Sequence, residues 1–408
     1  MRILYISSDD LDGQRFNGYV LLQQLTRLGH EVDMGVYHKE STDPAVHMIG
    51  HPIVNRLNNY LYHFEHMLGW QSVLPISALS LFASRYYRSA EIVHLQLLHT
   101  APFFSLLLLP AISRKKALLW TIHDAWLTSG HCVHALDCGR WLTGCGECPD
   151  LSLPIPVTRD STAFCWRLKR LLMKHSAVSL IVASRWMYQK VQLSPVLGHL
   201  PCQLIPFGVD TGVFRPLDRE KCRDLLGIPQ ENHVLAFRAK TSIYKGSQYL
   251  EEALALYHPS RETTLLIIEE KEGMPEIRLK YSRVELGWVS DQYLIAQALS
   301  AADVFIMPSI AESFGMMAVE AMACGTPVIC FEGTSIPEVI HAPRGGLAVP
   351  YKDCGALAYA IGLLLADQCL RESLGRNGVE IVREQYTVDL YVKRHIDFYQ
   401  SILDSKHR

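Results

Sequence analysis

Short apolar runs alternate with helical segments in two successive series, and this alternation limits the chain to a small set of folds. In the first series, Arg2–Ser7 (RILYIS) reads as a strand, and Tyr19–Leu28 repeats apolar residues at helical spacing up to Gly29. Further strands are expected at Glu31–Tyr37, Ile92–Gln96, Ala117–Thr121, Ser179–Val182 and Gln203–Ile205. After a turn-rich connector, PFGVDTGVFRP (Pro206–Pro216), the second series places strands at Val234–Phe237, Thr264–Ile268, Arg283–Leu286, Asp303–Met307 and Pro327–Cys330. Strands that are apolar on both faces, with helices between them, predict parallel sheets covered on both sides. The expected class is therefore α/β, with two doubly wound domains facing across a cleft. Binding loops are expected at the carboxyl ends of their strands. The domains are placed at 1–206 and 207–387, with a last helix, Val388–Leu403, in the segment 388–408. No internal repeat or low-complexity tract appears.

Composition narrows the function. The chain has 408 residues, of which 49% are hydrophobic and 20% charged, and its formal net charge is -2. A nucleic-acid binder normally shows a basic excess, so no nucleic-acid partner is expected. The opening MRILYISSDD reads as a strand followed by acids and not as a secretion leader. The apolar run Ala101–Ile112 is short for a bilayer. Together with 11 cysteines read as reduced thiols, this gives the expectation of a cytoplasmic protein.

The chemistry concentrates in AESFGMMAVEAMACGTPVI (Ala311–Ile329). A strand closes at Met307-Pro308-Ser309, and a helix is expected over Gly315–Ala323. Glu312 then precedes the helix and Glu320 lies inside it. The amides of Ser313, Phe314, Gly315 and Met316 form the helix N-terminus, a natural phosphate site. Carboxylates on either side can accept hydrogen bonds from sugar hydroxyls. By spacing alone, Glu312 is better read as a helix-end acid and Glu320 as part of a solvated face.

The whole of Pro308–Ile329 resembles the glutamate–seven residues–glutamate signature of retaining, family 4 type glycosyltransferases of the GT-B fold, which pairs two Rossmann-like domains. IPFGVDTGVFRP (Ile205–Pro216) is similar to that family's linker, as are IPEV (Ile336–Val339) and GGLAVP (Gly345–Pro350) to its later motifs. The resemblance implies that Glu312 contacts donor sugar hydroxyls and Glu320 the nucleotide ribose. It also implies that the last helix packs back on the first domain.

A diphosphate leaving group needs cations as its charge develops. The family's arginine corresponds to Arg238, at the end of HVLAFR, and its lysine to Lys245 in AKTSIYKG, with Lys240 as a rival. In LLWTIHDAW, His123 stands after a strand, where the family has a histidine against the donor sugar. On this resemblance the protein orients and neutralises, with His123 positioning the sugar. The first loop departs from the family's Gly-Gly turn. There Gly13 and Gly18 stand in, with Gly18 the donor-side candidate and Arg15 and Asn17 expected to face the cleft. Asp10-Leu11-Asp12 imitates a metal-binding Asp-x-Asp but follows the first strand of the wrong architecture.

In HCVHALDCGRWLTGCGECP (His131–Pro149), Cys132, Cys138, Cys145 and Cys148 suit a structural zinc or a thiol-stapled loop. No cofactor is expected for catalysis. Bacterial polysaccharide transferases similar to this chain carry a comparable cysteine-rich loop, which points to cell-surface polysaccharide or O-antigen assembly. Trp166–His175 interleaves bases with leucines. An ordinary amphipathic helix covering the sheet explains it better than a helix lying on a membrane, where a lipid-linked acceptor would be presented. Leu106–Leu109 poses the same choice, and peripheral contact with the inner membrane face stays open.

The expected function is transfer of a sugar, with retention, from a nucleotide diphosphate donor to a glycan or lipid-linked acceptor. The rivals are a nucleotide-sugar epimerase on the same fold and a catalytically silent scaffold or sugar sensor.

Overall fold

Thirteen strands form two fully parallel sheets among the described residues, which are 1–239, 242–268 and 281–406 of this computed structural model. Lys240 lies outside them. The first sheet takes β1 (Arg2–Asp9), β2 (Glu31–His38), β3 (Val46–Met48), β4 (Ile92–Leu95), β5 (Ala117–Thr121), β6 (Val178–Val182) and β7 (Cys202–Leu204), in the order β3-β2-β1-β4-β5-β6-β7. The second takes β8 (His233–Arg238), β9 (Thr263–Ile268), β10 (Ser282–Glu285), β11 (Val304–Met307), β12 (Val328–Phe331) and β13 (Gly346–Val349), in the order β10-β9-β8-β11-β12-β13. In each sheet the order reverses beside the first strand, between β1 and β4 and between β8 and β11. The loops after those strands diverge and leave room for a ligand.

Burial explains why these runs are strands. Leu4, Tyr5 and Ile6 of β1 are each 0% exposed although they point alternately to opposite faces, so helices cover both sides. At about 1.5–3 kcal/mol per buried large apolar side chain, this pattern resists any shift of register. The register runs Ile3 beside Val32 and Ile92, and Leu235 beside Leu265 and Val304. The expected strands appear within one or two residues of their ends. Two edge strands, β3 and β13, are additions. Each is short, and β13 opens on Gly346, so neither shows the sustained apolar pattern of a central strand.

The chain divides into one unit of Met1–Ile205 with Val392–Arg408 and a second of Pro206–Tyr391. The last helix, Val388–Lys406, ties its end to the first sheet through Tyr399. The Tyr399 hydroxyl meets the Tyr5 hydroxyl at 2.8 Å and His94 Nδ1 at 2.7 Å, and His94 Nε2 meets Thr121 Oγ1 at 2.8 Å. Burial holds the His94 imidazole well below its ordinary pKa, so this chain of bonds is neutral. In the second unit, Asp303 precedes β11 and is 3% exposed. It accepts from Arg223 at 3.0 Å, Arg219 at 2.9 Å and the Val234 amide at 2.8 Å.

The segment Trp166–His175 belongs to the helix Thr162–Lys174, with Trp166, Lys169, Leu172 and Met173 buried. Its buried face, with Trp166, Leu172 and Met173, packs into the apolar core of the first unit. Leu106 and Leu109 are likewise core residues. Among the described residues no single helix is long and apolar enough to cross a membrane.

Candidate functional site

In the second unit the carboxyl ends of β8 and β11 lie side by side, and the loops that leave them hold the predicted ionic residues. Arg238 is the last residue of β8 and is half-buried, paired in register with Ile268. The turn Ile243–Lys245 ends at Gly246, whose φ of 67° is left-handed. A Cβ on Gly246 would collide with the Pro308 carbonyl oxygen. Glycine alone therefore lets this turn press against the end of β11. The Tyr244 carbonyl then accepts from the Ile310 amide at 2.9 Å. This backbone bond carries Lys245 to Glu312, and Lys245 Nζ meets Glu312 Oε2 at 2.6 Å. Their side chains are 26% and 18% exposed, so the pair is reachable from solvent.

The Ser-Phe-Gly turn after Glu312 has a physical division of labour. Phe314 is 3% exposed and packs edge-on against Phe207 and Tyr386, with ring centres 5.2 and 5.7 Å apart. Gly315, at φ 91°, turns the backbone into the helix Met316–Ala323. The Glu312 carbonyl is held by the Ser335 hydroxyl at 2.9 Å, just before the helix Ile336–Val339. Glu320 is 0% exposed, which overturns the solvated-face reading of that residue. A buried carboxylate one turn inside a helix is too costly to be a spacing accident.

In the first unit, Gln96 follows β4 and His123 stands two residues after β5. His123 Nε2 meets Gln96 Oε1 at 2.8 Å, and the Phe16 ring lies 5.5 Å from the imidazole. Burial pushes the His123 imidazole down to about 4; Asp124 opposes the shift and His99 adds to it. At neutral pH it is an uncharged, oriented ring, suited to positioning a hydroxyl. Gly18 begins the helix Tyr19–Arg27 at φ 100°, and a Cβ there would come within 2.9 Å of the Tyr5 ring. Asn17, expected to face a ligand, is instead fully buried. Its Nδ2 donates to the carbonyls of Asp9, Asp10 and Asp12 at 2.7–2.9 Å and staples the loop. Asp10 accepts from the Glu40 and Ser41 amides at 3.0 Å, which accounts for the Asp-x-Asp without a metal.

Sequence reasoning passed over His99, three residues beyond Gln96. His99 Nε2 meets Asp124 Oδ2 at 3.0 Å, and its ring stacks on Trp126 at 4.7 Å. Burial works against ionisation of Asp124, but His99 beside it holds the carboxyl down at about 2. The available signal was position, since His99 and Asp124 follow the carboxyl ends of β4 and β5, beside the order reversal between β1 and β4.

The four cysteines of the cysteine-rich loop line one pocket with His131, yet they do not form the expected zinc ligand set. Among the described residues, no group of three or more His, Cys, Asp and Glu side chains is arranged to hold a metal ion. Two of the sulfurs have separate partners. The Gly130 amide donates to Cys145 Sγ at 3.3 Å, while Cys148 Sγ lies 3.4 Å from His131 Nε2. Burial pushes the Cys132, Cys145 and Cys148 thiols up, Cys145 to about 11, and all four cysteines are free.

The ionic site falls inside the one stretch of the chain that a family description matches, since residues 232–367 match glycosyl transferases group 1. This stretch is a glycosyl transferase group 1 domain. Among curated relatives, a D-inositol 3-phosphate glycosyltransferase of Acidothermus cellulolyticus is 33% identical over 224 residues, covering 50% of this chain and 49% of that protein. An alpha-maltose-1-phosphate synthase of Mycolicibacterium smegmatis is 28% identical, covering 51% and 59%. The matches thus span about half the length of the first of these relatives. Among solved structures, a sucrose-phosphate synthase from Thermosynechococcus elongatus superposes with a TM-score of 0.72 at 20% identity, covering 99% of this chain and 100% of that one. Anabaena HepE, in complex with UDP and glucose, gives 0.71 at 17%, covering 98% and 100%. At such identities the likeness is one of fold. The two parallel α/β sheets belong to the GT-B class.

Proposed function

We propose that the chain is a glycosyltransferase taking a sugar from a nucleotide diphosphate donor to a glycan or lipid-linked acceptor. The observation that carries this reading is the Lys245–Glu312 pair at the order reversal of β8 and β11, within the group 1 domain. The group 1 relatives are named as glycosyltransferases, and the fold neighbour HepE was solved with UDP and glucose, which supports a nucleotide-sugar donor.

Each residue then has a role set by its chemistry. Arg238 and Lys245 offset the charge that grows on the diphosphate as the glycosidic bond breaks. The amides of Ser313–Met316 give the helix N-terminus a fixed positive end for a phosphate. Glu312, released from Lys245 as the diphosphate competes for the ammonium, accepts hydrogen bonds from the sugar. Glu320 is assigned to the ribose and His123, neutral and oriented, to sugar hydroxyls. No residue here acts as a covalent nucleophile. Retention then follows from proton transfer between acceptor and departing phosphate on one face of the sugar. The resemblance of the His-Asp-x-Trp and cysteine-rich segment to polysaccharide transferases favours cell-surface polysaccharide assembly, with the reaction at the inner membrane face.

The test is release of nucleoside diphosphate from a panel of nucleotide sugars by the purified chain, with the anomeric configuration of the product read by NMR. One donor consumed, and lost in Glu312→Gln and Arg238→Ala, supports the reading. A donor that binds without turnover under all acceptors makes the chain a scaffold, and an inverted product removes retention.

A further inference from the structure

A recess in the first unit gathers features that the donor chemistry does not use. It is lined by Glu65, Trp70, Gln71, Ser72, His99 and Ile155 among others. Its interior volume is about 60 Å³, ample for ordered water or a hydroxyl-bearing group.

Glu65 sits near the end of the helix Pro52–Met67 and is 2% exposed. One carboxyl oxygen has a structural task, with Oε1 accepting from the Val73 amide at 2.6 Å. The other, Oε2, is buried with no well-formed hydrogen bond among the described residues, and the Leu74 amide bears on the carboxyl as well as the Val73 amide. Such an atom is expensive unless a ligand satisfies it. Burial pushes this carboxyl up to about 7.

The walls are braced. Gln71 Oε1 accepts from the Trp126 indole at 2.7 Å, and Gln71 Nε2 donates to the Ile155 carbonyl at 3.1 Å. Ile155 and Ser72 have φ of 67° and 57°. A β-branched residue in the left-handed region is strained, and strain of this kind gathers where surrounding structure serves a ligand. Two of the seven non-glycine residues with positive φ among the described residues line this recess. His99, fixed by Asp124, forms another part of the wall and comes from the loop after β4, next to the β5 loop that carries His123. No lysine or arginine lines the recess among the described residues, and its basic side chains are His66 and His99.

We infer that this recess binds a hydroxyl-bearing edge of a neutral saccharide, with Glu65 Oε2 accepting from a hydroxyl and the Trp70 ring packing on the C–H face. As an acceptor subsite it rests on the transferase reading; as a binding site it does not.

The test is a donor-free titration of the full chain, followed by tryptophan fluorescence. The ligands are glucose, galactose, mannose, their disaccharides and inositol, each beside its phosphate ester. The expected result is saturable binding of a neutral member, weakened about tenfold in Glu65→Gln and in His99→Gln, both melting as cooperatively as the wild type. Three results overturn the inference: no neutral saccharide binds, the phosphate esters bind better, or both variants bind as tightly as the wild type. Saccharide binding in a protein that consumes no donor would sink the transferase reading and keep the site. Donor consumption without saccharide binding would do the opposite.

Discussion

The two ends of β11 carry a carboxylate each, and the two are treated in opposite ways. Asp303, before the strand, is 3% exposed and saturated by Arg219, Arg223 and the Val234 amide. Glu312, after the strand, is paired with Lys245, and both remain reachable. The first arrangement leaves no capacity for a ligand, so it locks the amino ends of the strands. The second leaves lone pairs and a cation that a ligand can redirect. The first unit repeats the division with histidines. His94 lies within β4 and is enclosed by Tyr399 and Thr121, while His123 stands in the loop beyond β5 with Gln96. Parallel sheets thus separate stability from chemistry along the strand direction.

The sharpest way to break this contrast is Asp303→Ala. It strands buried Arg223 without its countercharge, and urea denaturation should show a loss of about 3–5 kcal/mol or a chain that does not fold. At the other end, Glu312→Gln and Arg238→Ala should each cut donor turnover about 100- to 1000-fold. Urea stability should move by about 1 kcal/mol or less for Glu312→Gln, whose ion pair is partly solvated. Equal losses of stability at both ends would abolish the distinction.

Gly246→Ala tests whether the backbone approach to Pro308 is what presents Lys245. The added methyl should lower donor turnover about tenfold and stability by about 1–2 kcal/mol, measured together on one preparation.

The smallest effect concerns pH. Burial keeps His94 and His123 neutral, with folded values below the unfolded value of about 6.5. Between about 6.5 and 4 the unfolded chain therefore binds more protons, and stability falls as pH falls. His94→Gln, which keeps hydrogen bonding but cannot titrate, should flatten this slope in urea melts taken from pH 7 to 4. An unchanged slope would remove His94 from the buried neutral network.

The central strands, the order of the two series and the ionic residues were all legible in the chain itself. Strands such as RILYIS and ALLWT need apolar residues on both faces, and that demand is written locally. Glu312, Arg238 and Lys245 were singled out by resemblance to the family's motifs, since spacing alone reads them as ordinary loop and helix-end charges. Several things depended on contacts that no local pattern announces. Asn17 reads as a loop polar residue, but three carbonyls on its own loop claim it. The cysteine spacing suits zinc, yet Gly130 and His131 engage two of the sulfurs separately. Glu65 and His99 lie in unremarkable sequence, and Val73, Asp124 and the strained Ile155 give them their setting only after folding. Periodicity and turn chemistry act over a few residues and survive in the sequence. Burial, countercharge and an unsatisfied oxygen are properties of which segments meet, and those only tertiary structure decides.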